Sequence, residues 1–452
     1  MAGIILRICI MVLIFVSAAW AGEEKLIQES CNRFKPLHVK ADGRGNIWTA
    51  CYDIKGAIHI KNLSDDKDFI VNEGSESISE GLSFDVKGDN VYVVWMEMIG
   101  GRKRLYFRAI RDSGKTLSDP VLIDDNVTQA FIRIETRSDT SGNVYVLWYG
   151  GKKVGKASEH LYSVSSHDFG KTFSEIKNMT LGYDESIYPS LLVDENNAYM
   201  FSYSSTGFEI NDVKRYMIFR KTEDGGRTWS EPVEIGKIGV VTLFIEPIKV
   251  GNRLHVFWFN TYDAVPIIEG AYSEDGGKTW VRTAIEETRG FDIGYLRVVH
   301  DSKGHIFLAL SGIWEFGQKE RVYVIKSEDN GTTWEKMIPI RHYPFDITTV
   351  TKPDILATDD GEVVVVWADF RNIRSNLYMQ YSKDYGRTWQ DKDIPLEEPG
   401  RFNTALYAYT DSLVKANDRY HVLAYRFKND IVNIGEADCP LIEFTLADGG
   451  KR

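Results

Sequence analysis

The chain is poor in the features that mark several common protein classes. Four cysteines occur in 452 residues, one of them, Cys9, inside an apolar N-terminal run. The other three, Cys31, Cys51 and Cys439, have no metal-ligand spacing, which speaks against a zinc site. Beyond the first 21 residues no apolar stretch approaches the roughly 20 residues a membrane helix needs. Basic charge is also in deficit: Lys and Arg total 54 against 65 Asp and Glu, a formal charge of -11, so nucleic acid is not expected as a partner. No low-complexity segment suggests disorder, and no cofactor or metal motif occurs.

The apolar run itself reads as a secretory signal. Arg7 stands in a short basic region, Ile8 to Ala18 is apolar, and Ala19-Trp20-Ala21 has the small-x-small form of a cleavage site. Residues 1–21 are therefore expected to be removed and the mature protein secreted or periplasmic, with residues 22–452 as one domain. In an oxidising compartment a Cys31–Cys439 bridge would tie the two ends of the chain together. Four Asn-x-Ser/Thr sequons begin at Asn62, Asn126, Asn178 and Asn330.

What is present is a repeat. Runs of the form Ser/Thr-x-Asp-x-Gly-x-Thr-Trp, some worn, centre on Asp112, Asp168, Asp224, Asp275, Asp329 and Asp384, with steps of 56, 56, 51, 54 and 55 residues. A fixed period of this length means a modular array. Each run reads as a hairpin turn: the carboxylate accepts backbone N–H bonds, glycine supplies positive φ, and the closing aromatic packs between units. These aspartates are thus structural candidates. Between them, apolar runs of five to eight residues separated by Gly/Asn/Asp turns fit four antiparallel strands per unit. Units starting near Leu37, Gly81, Phe131, Tyr188, Val241, Tyr295, Lys352 and Asp411 count to eight. Four-stranded sheets packed around a channel make an all-β propeller, eight-bladed by direct count, with six or seven blades left open if the terminal units share one.

The repeated run resembles that of the Asp-box, or BNR-repeat, proteins, of which the sialidases are best known, and the resemblance covers nearly the whole mature chain. It implies carbohydrate or glycoconjugate as ligand and, for a sialidase-like member, an exo-glycoside hydrolase of terminal acidic sugars. Family sialidases are six-bladed, clamp the substrate carboxylate with three arginines, and use an Asp acid/base with a Tyr nucleophile activated by Glu. A bidentate guanidinium matches a carboxylate, and a neutral Tyr avoids repulsion by an anionic substrate.

Family sites lie on the face opposite the aspartate turns, where first strands begin and second-to-third loops emerge. There, Arg133 in Phe131-Ile132-Arg133-Ile134 resembles the first clamp arginine, although Glu135 replaces the family proline. Ile245-Glu246-Pro247 is similar to the segment holding the activating Glu, but Phe259 stands near the arginine expected next. Tyr295-Leu296-Arg297 offers a further arginine, and Asp369, Arg371 and Arg374 share one loop; Tyr343 is placed as a family nucleophile would be. The candidate catalytic set is Glu246, Tyr343 and Asp369, and the candidate substrate-binding set is Arg133, Arg297, Arg371 and Arg374. Blade-edge salt bridging is the structural alternative for the arginines. Three functional classes remain: a sialidase-like hydrolase, a non-catalytic glycan- or protein-binding platform, and a lyase or hydrolase of neutral or uronic polysaccharide. The last would leave paired carboxylates and few arginines.

Overall fold

The computed structural model describes residues 23–32, 37–72, 79–127, 133–150, 160–207, 213–239, 242–260, 265–343, 349–401, 404–406, 411–427 and 438–447. The proposed leader lies outside them, as do Phe131 and Ile132. The described residues form eight antiparallel sheets, six of four strands and two with one short extra strand. The eight inner strands are His38–Ala41, Ser79–Lys87, Ile134–Ser138, Glu185–Asp194, Thr242–Val250, Asp292–His300, Val350–Ala357 and Leu413–Ala416. Each meets the next, and the last meets the first, so the sheets close into an eight-bladed propeller, and neither six nor seven blades is needed. The one helical turn among the described residues is the short 3-10 segment Glu286–Thr288.

Blade 8 is built from both ends of the chain. Its outer strand, Glu23–Asn32, pairs antiparallel with Asp438–Ala447. The segment before Leu37 is thus part of the array. Ring closure by this ladder also corrects the disulfide expectation. Cys31 does lie opposite Cys439 in the register, but its bridge goes to Cys51. Cys51 belongs to the second strand of blade 1, Ile47–Tyr52, so the disulfide joins blade 8 to blade 1. All three cysteines are buried in one apolar cluster with Ile27, Val39 and Leu441. The first sequon asparagine, Asn62, is buried and its Oδ1 accepts the N–H of Ser64 (2.9 Å).

The aspartate turns are self-contained. In blade 5, Asp275 accepts from Thr279 N (2.9 Å), Thr279 Oγ1 (2.6 Å) and Ser273 Oγ (2.9 Å), while Ser273 Oγ accepts from Gly277 N (2.8 Å). The same pattern surrounds Asp168, Asp224, Asp329 and Asp384. The worn copy at Asp112 makes no such carboxylate bonds among the described residues; there Asp112 and Ser113 both adopt positive φ. Each turn also reaches the preceding blade. Trp280 sits edge-on to Phe219 (5.0 Å) and Phe201 (5.7 Å) of blade 4, and Trp334 edge-on to Phe257 of blade 5 (5.6 Å). Gly277 has φ 85°, and a Cβ there would overlap the Phe219 ring, so glycine is required twice over. The largest buried side chains include Trp48, Trp95, Trp148, Trp258 and Trp367, one on the second strand of each of five blades.

Three outcomes test this account. Asp275→Ala is expected to lower the melting temperature without selective loss of ligand binding, and Gly277→Ala to lower it too, through strain and overlap; unchanged melting curves would contradict the role of the turn. In Asp168, Asp224 and Asp384 partial burial favours the neutral acid, but the turn's N–H and hydroxyl donors outweigh it and hold the carboxyls at about 2, below the ordinary 3.8. Their stabilisation is therefore complete above pH 4 and lost as pH falls toward 2, so circular dichroism should show an acid transition in that window that moves when these aspartates become asparagine. Cys51→Ser should destabilise by about 3 kcal/mol on the loop-entropy account of a 20-residue separation, read as a lower denaturant midpoint that reduction of the native protein reproduces.

Candidate functional site

Inner strands place their alternate side chains in the central channel. Five of the eight carry a register shift near the start that re-aims the rest of the strand: Ser79/Gly81, Ile187/Ser190, Leu243/Glu246, Ile293/Tyr295 and Thr351/Asp354. Three of these shifts hold a non-glycine residue in the left-handed region, Tyr188 (φ 52°), Phe244 (φ 58°) and Lys352 (φ 55°). Such bulges bend a strand and are disfavoured for residues with a Cβ, so the surrounding ring must hold them in place. Ser190, Glu246 and Asp354 each stand two residues after the bulge.

A cavity of about 450 Å³ opens here, lined among others by Arg137, Ser190, Glu246, Arg297, Asp354 and Asp411. Its centre is Arg297 of blade 6. The guanidinium lies 3.7 Å from Glu246 of blade 5 and 3.4 Å from Asp354 of blade 7, and Nη2 donates to Asp411 at the entry to blade 8. Asp354 is further fixed by the N–H groups of Ser412 (2.6 Å) and Leu413 (3.0 Å). Burial works to lower the Arg297 pKa, but Glu246 and Asp354 raise it above its already high value, so the cation is permanent. Burial pushes the Glu246 carboxyl above its ordinary value against the pull of Arg297. Glu246 keeps 23% of its side-chain surface open to channel water and Asp411 keeps 46%, so both can meet a ligand.

The other side of the channel is paired as well. Lys40 of blade 1 donates to Asp85 of blade 2 (2.7 Å), which accepts from Ser138 N (2.8 Å) and Oγ (2.7 Å) of blade 3. Glu135 takes both Arg133 and Arg137, each at 3.2 Å. A charge pair thus links blades 1 and 2, hydrogen bonds from Ser138 extend it to blade 3, and charge pairs link blades 5 to 8, while blade 4 contributes the uncharged Ser190 to the cavity.

Of the residues singled out from the sequence, Glu246 and Arg297 meet. Arg133 pairs with Glu135 and is not among the described residues lining the cavity. Asp369, Arg371 and Tyr343 meet one another elsewhere, in a buried clamp between blades 6 and 7. Asp369 is fully buried and accepts from Arg341 (2.8 and 3.1 Å), Arg371 Nη2 (2.6 Å), Arg371 N (2.9 Å) and Trp367 Nε1 (3.2 Å). Burial alone would raise its pKa, yet the two arginines hold it below the ordinary value, so it has no proton to donate. Arg371 also bonds Asp393 (2.6 Å), and the Tyr343 ring covers Arg341 (5.0 Å) and Arg371 (4.8 Å). Arg374 donates to the Arg401 carbonyl. Sequence reasoning missed Asp354, Asp411, Arg137 and Arg341. Asp354 carried the same signal as Glu246, an acid in the first strand of a blade beside a proline, and was legible on those grounds.

Residues 248–429 match the BNR repeat-like domain. No curated protein matches the chain in sequence. Among solved structures, the polysaccharide lyase Uly1 superposes over 95% of this chain and 100% of its own at 8% identity with a TM-score of 0.53. A family PL25 ulvan lyase does so over 81% and 91% at 13% identity with a TM-score of 0.50. The NanB sialidase from Streptococcus pneumoniae aligns over 94% and 93% at 11% identity, with a TM-score of 0.38, too low to build on. At these identities the likeness is one of fold. Eight antiparallel blades and the repeated aspartate turns make this chain an eight-bladed β-propeller, and its residues 248–429 are similar to the BNR repeat-like domain.

Proposed function

We propose that the chain is an exported, sialidase-like BNR propeller that acts as a glycoside hydrolase on a saccharide held at the channel mouth, with Glu246 as proton donor. The observation that carries this reading is the grouping of three carboxylates, Glu246, Asp354 and Asp411, around Arg297 in a 450 Å³ cavity. That volume lies within the range of small-molecule sites. Glycoside hydrolysis needs one carboxyl kept protonated and another kept ionised, a separation made by unlike environments. Glu246 is enclosed and shifted up; Asp411, against the same guanidinium, is half open to water.

The sugar favoured is one recognised through hydroxyls. Each described arginine of the cavity already has a carboxylate partner: Arg297 has three and Arg137 has Glu135. A sialic-acid carboxylate would have to displace one of them, which disfavours the three-arginine clamp of a sialidase and brings the site closer to paired carboxylates with few arginines. The second reading is a non-catalytic glycan-binding platform at the cell surface, supported by the Glu246–Arg297 ion pair, which opposes protonation of the acid.

Hydrolysis of fluorogenic glycosides, neutral, uronic and sialylated, by purified protein is the test. Glu246→Gln should keep the wild-type melting curve and lose about 10²- to 10⁴-fold in kcat. Because the donor must be protonated, kcat should fall as pH rises through the raised Glu246 pKa, and that alkaline limb should be absent from residual turnover in the variant. Full turnover by Glu246→Gln removes this residue from the chemistry, and a folded wild type that cleaves none of the substrates favours the binding platform.

A further inference from the structure

Four aromatic side chains stand exposed among the described residues: Phe169, Tyr188, Trp314 and Phe316. Phe169 lies in an aspartate turn. The other three lie on the opposite face, where the channel mouth opens, and two of them are held in place from below. Tyr188, 37% exposed, sits at the blade 4 bulge with φ 52°, edge-on to Tyr149 (6.0 Å, 66°). Two residues later on the same strand, Ser190 lines the cavity. Trp314, 43% exposed, begins the second-to-third loop of blade 6 and rests on the buried Phe291 ring (5.0 Å). Phe291 leads directly into Asp292–His300, the strand that carries Arg297.

The loop under Trp314 is built rather than slack. Gln318 Oε1 accepts from Trp314 N (3.3 Å), Gln318 N donates to Glu315 O (3.1 Å), and Gly317 turns the chain at φ 93°. At its far end Glu320 accepts from Ser311 Oγ (3.3 Å), and its carboxylate occupies the space that a side chain at Gly294 would take, 3.1 to 3.2 Å from that Cβ position. In blades 4, 5 and 7 the equivalent bulge holds Tyr188, Phe244 or Lys352; in blade 6 glycine clears the place for a carboxyl from the loop. Burial pushes Glu320 above its ordinary value, with Asp292 nearby adding to the shift.

An aromatic face beside hydroxyl-binding carboxyls is the chemistry that grips a sugar ring: the apolar C–H side stacks on the ring while the hydroxyl edge meets the acids. Blade 5, with Glu246, lies between blade 4 and blade 6. From this placement we infer that Tyr188 and Trp314 are two stacking surfaces flanking the Glu246–Arg297 site, with Glu320 as a hydroxyl acceptor beside Trp314, and that the ligand is a saccharide chain of several units rather than one terminal sugar. This rests on the reading that the channel mouth holds saccharide and specifies its length. Binding then runs across the mouth from blade 4 to blade 6, and the cavity receives the middle of the chain.

A glycan array of neutral, uronic and sialylated structures selects the series, and calorimetry then compares the tetrasaccharide of that series with its monosaccharide, using the Glu246→Gln protein to prevent turnover. The tetrasaccharide should bind at least tenfold tighter. Trp314→Ala and Tyr188→Ala should each remove about tenfold of that advantage, as expected for an anchoring aromatic, leave monosaccharide affinity and the melting curve unchanged, and Trp314→Phe should restore part of it. Equal affinity for the two lengths, or tetrasaccharide binding untouched by both alanine variants, overturns the inference while leaving the saccharide reading intact. No binding to any array structure by folded protein overturns both.

Discussion

The packing of each aspartate turn onto the preceding blade is the contact on which the ring depends. Trp280 against Phe201 and Phe219, and Trp334 against Phe257, are edge-on aromatic contacts made across a blade boundary, not within a sheet. A four-stranded sheet cannot bury both of its faces alone, and stacking of neighbours supplies the missing cover. The aspartate, although exposed, matters because its bonds fix the turn that delivers the aromatic, and Gly277 matters because Phe219 occupies the space next to it. An acid that recurs on a surface can therefore be entirely local in its chemistry and long-range in its effect.

A second level of order lies inside. Bulges near the starts of the inner strands hold Tyr188, Phe244 and Lys352 in a conformation that side chains with a Cβ avoid. Such geometry persists only where the closed ring over-determines the backbone. What it delivers is convergence: acids from blades 5, 7 and 8 on one arginine from blade 6. Removing Arg297 would leave three carboxylates facing one another, so the cation is as much a requirement of the fold as a feature of the site.

The repeat made the architecture legible: six aspartate turns in register and strands of the right length predict blades, and the unit count of eight matches the sheets. Less legible was how the ends meet. Glu23–Asn32 carries no turn motif and its partner strand Asp438–Ala447 carries none either, so nothing local in either stretch announces their pairing. The cysteine pairing failed for a related reason: Cys31 faces Cys439 across the ladder, as an end-to-end tie requires, yet Cys51 approaches from the neighbouring blade, a relation set by blade packing. In the channel, Glu246 and Arg297 were found because they sit where first strands begin. Asp369 and Arg371 stand together at the end of the strand Val363–Asn372 with the composition of a site, and Arg341, 28 residues upstream of Asp369, together with Asp393 turns them into a saturated clamp.

The shared blade sets an order for folding. Glu24 bonds Arg426 across 402 residues, and until that distant segment has been made and delivered the strand Glu23–Asn32 has no edge to join. Blades 2 to 7 are each continuous in the chain and can form as they emerge, whereas blade 8 cannot, and blade 1 is left with a bare flank. During that interval an unpaired strand and an open sheet edge coexist, the combination that invites association between chains. Closing the ring ends that exposure; the Cys31–Cys51 bond, between residues only 20 apart, needs no distant segment to form, and it tethers the outer strand of blade 8 to blade 1 at the seam where Asp438–Ala447 must insert.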